Sequence, residues 1–172
     1  TYCKGISFML QISHGMPNFV KYINVKSGLS IINPSDLISF HGLLYLNVSR
    51  NFLVDICLLG SINNSLFSSL SIARLLDISH NNVSHLSRFC FYGLLSLKRL
   101  FLGNNRISRI DGGTFFGLEN ISQLDLSFNE ISTLKNNYFH GIKSIEYLFL
   151  EGNNIKTLEY DVFSDITISS LG

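Results

Sequence analysis

Apolar positions along this chain repeat on two nested scales. Over a few residues they alternate, as Leu100 and Leu102 do on either side of Phe101, the pattern of a short strand with one buried face. Over longer stretches the whole pattern returns every 24 residues. Phe67, Phe91, Phe115, Phe139 and Phe163 form one such ladder, Leu76, Leu100, Leu124 and Leu148 a second, and Asn81, Asn105, Asn129 and Asn153 a third. The shared frame is L-x-x-L-x-L-x-x-N-x-I, a spacer, then F-x-x-L. It runs through residues 73–83, 97–107, 121–131 and 145–155, with an earlier copy at 43–53 that carries Asn51. A weaker copy around Val20, Ile23 and Val25 has Gly28 near the Asn place.

Each constant letter has a physical task. A turn that follows a strand inside a stack must satisfy main-chain groups cut off from water, and a buried Asn offers both a donor and an acceptor. The Phe fills the return half of each coil. A single coil cannot bury its apolar side alone, so coils must stack and their strands must join into one parallel sheet.

The frame resembles the leucine-rich repeat family in the 24-residue form common in extracellular proteins. The resemblance implies an α/β-class, right-handed solenoid, with short parallel strands on the concave face and loops or 3₁₀ turns on the convex face. Residues 19–172 form this solenoid, about six to seven repeats without a C-terminal cap. Residues 1–18, with Cys3 and the alternating Ile6, Phe8, Leu10 and Ile12, look like part of a cysteine-rich N-terminal cap. The step from Leu46 to Leu76 is thirty, which places six extra residues within 57–67 as a surface loop. The F-x-G-L/I units, "NNRISRI" and "GNNIKTL" are most similar in texture to ectodomains of leucine-rich-repeat G-protein-coupled receptors of the relaxin-receptor-like branch. Toll-like receptors and axon-guidance proteins share the repeat type.

Charge adds one feature. The chain is nearly neutral at +1, which gives no global pull toward nucleic acid or anionic membrane. Residues 61–110 nevertheless hold six Lys/Arg against one acid (+5), and residues 111–172 hold three Lys against nine acids (−6). An elongated molecule of this composition is electrically bipolar. No apolar run approaches the ~18 residues of a membrane span, so contact with a membrane would come through segments outside this chain.

Three cysteines are an odd number. Cys57 and Cys90 fall on the spacer side of adjacent coils, where either a disulfide or two buried thiols fits. Cys3 would pair with a cap cysteine upstream. Sequons stand at Asn47, Asn63, Asn82 and Asn120, about as many as chance supplies, so they mark candidate glycosylation sites without proving secretion. Asn47 falls on a strand, where a glycan would shield the early coils.

No catalytic constellation is present. The histidines are scattered, His80 and His85 lack helical zinc-ligand spacing, and no phosphate loop or nucleophile elbow occurs. No metal or cofactor is expected. What remains is the set of variable strand positions facing the concave side. One column reads Asn24, Asn47, Asp77, Phe101, Asp125, Phe149, and its neighbour reads Tyr22, Tyr45, Leu75, Arg99, Gln123, Tyr147. Arg99, Phe101, Asp125, Tyr147 and Phe149 are the candidate ligand-binding residues, since exposed aromatics and Arg on a rigid surface suit a protein-binding hot spot. Stacking of the same aromatics along the sheet is the competing reading. The expected function is recognition of a protein or peptide by an extracellular or cell-surface receptor segment. A matrix or adhesion protein without a signalling role is the alternative.

Overall fold

The computed structural model describes residues 20–25, 28–57, 66–164 and 166–172. The proposed N-terminal cap, Cys3, the sequon at Asn63 and most of the six-residue insertion lie outside them.

Each L-x-x-L-x-L frame forms one short strand. These are β1 Tyr22–Asn24, β2 Tyr45–Asn47, β3 Leu75–Asp77, β5 Arg99–Phe101, β7 Gln123–Asp125, β9 Ser144–Phe149 and β11 Thr167–Leu171. They pair in parallel in the order β1-β2-β3-β5-β7-β9-β11, one strand per coil. The register holds equivalent positions opposite each other: Leu46, Leu76, Leu100, Leu124 and Leu148 lie in one line. Two-residue strands pair on a second side of the coil, β4 His85–Leu86 with β6 Arg109–Ile110, and β8 Thr133–Leu134 with β10 Thr157–Leu158.

The spacers return through tight turns closed by backbone bonds three residues apart, such as Leu70 N–H to Phe67 O at 2.9 Å and Ile142 N–H to Phe139 O at 3.0 Å. This is 3₁₀-type closure, suited to short pieces. Among the described residues the one helix is α1, Pro34–Leu37. Its first residue is Pro34, and the Asn33 N–H donates to Asp36 Oδ2 at 3.1 Å.

Inside the coils the Phe ladder is a continuous stack. Ring centroids from Phe67 to Phe91, Phe115, Phe139 and Phe163 are separated by 6.1, 5.9, 6.2 and 5.6 Å, all near parallel. In the first coil the two letters of F-x-x-L trade places. Phe40 N–H bonds to Leu37 O as Leu70 does to Phe67, so Leu37 occupies the Phe position and Phe40 the Leu position, both buried. The pair keeps its total volume, which is the kind of change cores accept.

The Asn ladder closes the opposite turn. Asn129 Oδ1 accepts from the Ile107 N–H of the preceding coil at 2.9 Å. Its Nδ2 lies 3.0 Å from the carbonyls of Leu102 and Leu126 and 3.1 Å from that of Ser127. Asn51, Asn81, Asn105 and Asn153 repeat the arrangement. The residue before each ladder Asn turns into the left-handed region: Arg50, His80, Asn104 and Phe128 have φ of 56°, 53°, 55° and 51°. Only in the coil of Asn153 is that place taken by glycine, Gly152 at φ 70°. A Cβ on Gly152 would run into the Phe128 ring.

A third column lies one residue before the ladder Phe. In successive coils it reads Cys90, Thr114 and Tyr138, and each ties its coil to the one before. Cys90 is joined to Cys57 by a disulfide. The fully buried Thr114 hydroxyl sits 3.1 Å from the carbonyls of Leu86 and Ser87 and 2.7 Å from that of Asp111. Tyr138 meets the main chain of Ile110; burial pushes its phenol pKa up, while that hydrogen bond pulls the other way. The same geometric junction is therefore held by a covalent bond, a hydroxyl and a phenol in turn.

Candidate ligand-binding face

In L-x-x-L-x-L the two residues between the first pair of leucines both leave the core, as does the single residue before the third. Strand β5 shows it: Arg99 is exposed and Phe101 half-buried, while Leu97, Leu100 and Leu102 are fully buried. The concave surface thus carries three outward rows. The middle row is Tyr22, Tyr45, Leu75, Arg99, Gln123, Tyr147, and the inner row is Asn24, Asn47, Asp77, Phe101, Asp125, Phe149. The first row, one residue earlier, includes Leu44, Arg74, Lys98, Ser122 and Glu146.

The five candidate residues share this face on three neighbouring strands. Phe101 lies opposite Asp125, and Asp125 opposite Phe149. Arg99 and Tyr147 are separated by Gln123, so they are two strands apart. Stacking does occur on the face. Tyr22 stacks on Tyr45 across strands at 4.6 Å, and Tyr147 stacks on Phe149 along β9 at 6.3 Å. Phe101 makes no ring contact among the described residues. Tyr147 keeps 42% of its surface, and its phenol pKa is raised by a hydrogen bond with the Glu146 carboxylate and by that group's charge.

Asp125 is held by a local turn. Its Oδ1 accepts from the Ser127 N–H at 2.8 Å and the Ser127 hydroxyl at 2.6 Å. Asp77 and Asn47 make the same Asx turn with Ser79 and Ser49. In the coil of Phe101 the Asp-x-Ser unit becomes Phe-x-Gly. A Cβ on Gly103 would lie 2.9 Å from Asp125 Oδ2 and 3.0 Å from Ser127 Oγ, so Gly103 leaves the room in which Asp125 is seated. The unit changes again at Phe149–Glu151. These Asx turns were missed in the sequence, although the D-x-S and N-x-S spacing at 47, 77 and 125 is a usable signal.

The sequons fall in different places. Asn47 is half-buried on the concave sheet with Oδ1 committed to Ser49. Asn120 is exposed on the spacer side, its Nδ2 donating to Leu95 O at 2.9 Å. Asn82 is half-buried beside the ladder Asn81.

Two clusters off this face were also unseen in the sequence. Phe89, Tyr92 and Phe116 contact one another on the spacer side, with the Arg88 guanidinium 4.6 Å from the Phe89 ring centre. His85 Nε2 lies 3.1 Å from Asp111 Oδ2, and Arg109 Nε donates to Asp111 Oδ1 at 3.0 Å. Burial pushes the Asp111 pKa up, but its hydrogen bonds with His85 and Arg109, aided by their charge, outweigh that and hold the carboxyl below its ordinary value. Among the described residues no group of three His, Cys, Asp or Glu side chains converges on one point, and no helix is long and apolar enough to cross a membrane.

A stack of parallel strands closed by an Asn ladder and a Phe ladder defines a leucine-rich repeat solenoid. The family model for the leucine rich repeat matches residues 52–107, 74–131, 96–155 and 124–168, which together span 52–168, and the chain belongs to this family. The crystal structure of a TLR13–ssRNA13 complex is similar over 90% of this chain, with 29% sequence identity and a TM-score of 0.76. This chain spans 22% of that one's length. No curated protein sequence matches the chain. Repeats of this family are typically binding modules without enzymatic activity, and the match includes no enzyme family.

Proposed function

We propose that the chain is an extracellular ligand-recognition segment of a cell-surface receptor, binding a protein or peptide on its concave face. The observation that carries this reading is the contrast within one strand: Leu100 and Leu102 are fully buried while Arg99 is exposed and Phe101 half-exposed between Asp77 and Asp125. A rigid sheet presents these groups without an ordering cost at the moment of binding. The Cys57–Cys90 disulfide supports an oxidising compartment, outside the cell or in an organelle lumen. Arg99, Phe101, Asp125, Tyr147 and Phe149 form the contact surface in this reading, and glycans on Asn47, Asn63, Asn82 or Asn120 would belong to the same compartment. The F-x-G-L/I repeat texture, similar to that of leucine-rich-repeat G-protein-coupled receptor ectodomains, is what supports assigning the receptor to that branch. Seven membrane helices encoded downstream would support that placement, and their absence would return it to a matrix or adhesion protein.

The TLR13 complex contains single-stranded RNA. Here the outward rows mix Asp77, Asp125 and Glu146 with aromatics, and this favours a peptide over a polyanion. Random peptides displayed on phage and selected on the folded chain test the reading. Selected binders should lose the chain carrying Arg99→Glu with Phe101→Ala. Binders that ignore this double change and respond to Phe116→Ala instead would move the site to the convex side.

A further inference from the structure

Three exposed cations crowd one corner of the concave face. Arg74 and Lys98 are neighbours in the first row, since the Lys98 N–H bonds to Arg74 O at 3.0 Å, and Arg99 follows Lys98 in the middle row. All three are exposed, and none forms an ion pair among the described residues; the ion pairs found there join His85 and Arg109 to Asp111, and Lys143 to Glu119. Like charges on adjacent strands, ~4.8 Å apart, repel one another unless an opposite charge sits among them.

The surroundings limit what that opposite charge belongs to. Along the first row the cations are bounded by Leu44 on one side, beyond which the Lys21 ammonium donates to Gly42 O at 3.1 Å, and by Ser122 and then Glu146 on the other. The basic track is therefore two strands wide, too short for an extended polyanion, which would meet Glu146. Two residues along β5 from Arg99 lies Phe101, half-buried and flanked by Asp77 and Asp125. A second acid on the ligand is disfavoured there, whereas an apolar side chain can cover the ring while the two carboxylates keep their Oδ1 atoms on Ser79 and Ser127. Alternate side chains on an extended peptide are ~6.6 Å apart, the same interval that separates Arg99 from Phe101 on their strand.

Building on the concave-face reading above, we propose that the ligand presents an extended segment with an acidic residue followed two positions later by an apolar one. The acid rests on Arg74, Lys98 and Arg99, and the apolar side chain rests on Phe101. The acidic carboxylate takes charge-assisted hydrogen bonds from the guanidinium and ammonium groups, and burial of the apolar side chain on Phe101 supplies the rest of the contact.

Short capped peptides with Asp-Ser-Leu repeats, titrated by fluorescence polarisation against the whole chain, test this. They should bind, weaken as salt is raised, and weaken by about tenfold or more on Arg74→Glu/Lys98→Glu/Arg99→Glu. The same peptide with Asn for Asp, or with the order Asp-Leu-Ser, should bind at least about fivefold less well. Unchanged binding to the triple variant, equal binding of the Asn peptide, or no binding of the Asp-Ser-Leu peptide would overturn the proposal. Tighter binding of a heparin oligosaccharide or single-stranded RNA than of the peptide would overturn it in favour of a polyanion. Phage-selected peptides that map to Phe101 but lack acids would sink this inference and leave the concave-face reading intact. Loss of the concave mapping would instead remove that reading. Circular dichroism of the triple variant should be unchanged, because all three side chains are exposed.

Discussion

The inner ladders and the outer rows of the same strands use polar groups in opposite ways. Asn129 is buried and both ends of its amide are occupied, its oxygen by one N–H and its nitrogen by carbonyls of two coils. Asp125, four residues earlier in sequence order and on the outward side, commits Oδ1 to Ser127, while Oδ2 has no hydrogen bond among the described residues. The apolar groups divide likewise. Phe115 sits between Phe91 and Phe139 with no surface left, whereas Phe101 has no ring partner among the described residues and remains half-exposed. Saturated groups hold the solenoid together, and the outward ones are those that the proposed reading assigns to a partner.

The division can be broken most forcefully at the Phe stack. Phe115→Ala removes a fully buried ring with neighbours on both sides and should cost about 3–5 kcal/mol in chemical denaturation. Opening the Cys57–Cys90 bond by Cys57→Ser with Cys90→Ser should cost about 2–4 kcal/mol, since 33 residues of loop regain freedom in the unfolded chain. Coils on either side of the bond should gain hydrogen exchange first, and equal protection throughout would argue against a local tie.

Asn129→Leu leaves the Ile107 N–H and several carbonyls without partners and should cost about 1–3 kcal/mol. Exchange should rise at Ile107 and Ile131 more than at Val48 or Ile155; a uniform rise would contradict the local role. Acid gives a smaller effect. Asp111 has a folded pKa below its unfolded value of 3.8, so the stability it adds is present above that pH and is lost as pH falls through the lower, folded value. Asp111→Asn should therefore lower the melting temperature slightly at neutral pH and leave it little changed at the acid end, which flattens the acid limb of the profile. At the bottom of the scale, Phe101→Ala should cost no more than about 1 kcal/mol, because its ring is only half-buried and outside the core. A loss comparable to that of Phe115→Ala would erase the distinction between the two kinds of position.

Both inner ladders were legible before any coordinates, because burial in a repeated coil forces the same letter back at the same interval. Phe67 through Phe163 and Asn81 through Asn153 announce themselves that way. The first coil was harder to read, since Leu37 and Phe40 exchange roles and a search for a fixed letter passes over volume that is conserved across two positions. The column of Cys90, Thr114 and Tyr138 escaped notice for a related reason: three chemically unlike side chains meet one geometric need. On the outer face, membership of each row followed from strand alternation. The partial burial of Phe101, the Tyr147–Phe149 stack and the crowding of Arg74 with Lys98 and Arg99 did not.

By itself the sequence determined the coil length, the side of the strand each residue faces, and which letters lie inside, because local period and the cost of an unpaired buried group act along the chain. Only the tertiary structure decided which outward residues become neighbours and how far each is covered. Those depend on how adjacent coils are registered and spaced, and residues 24 positions apart come within reach only after the coils have stacked.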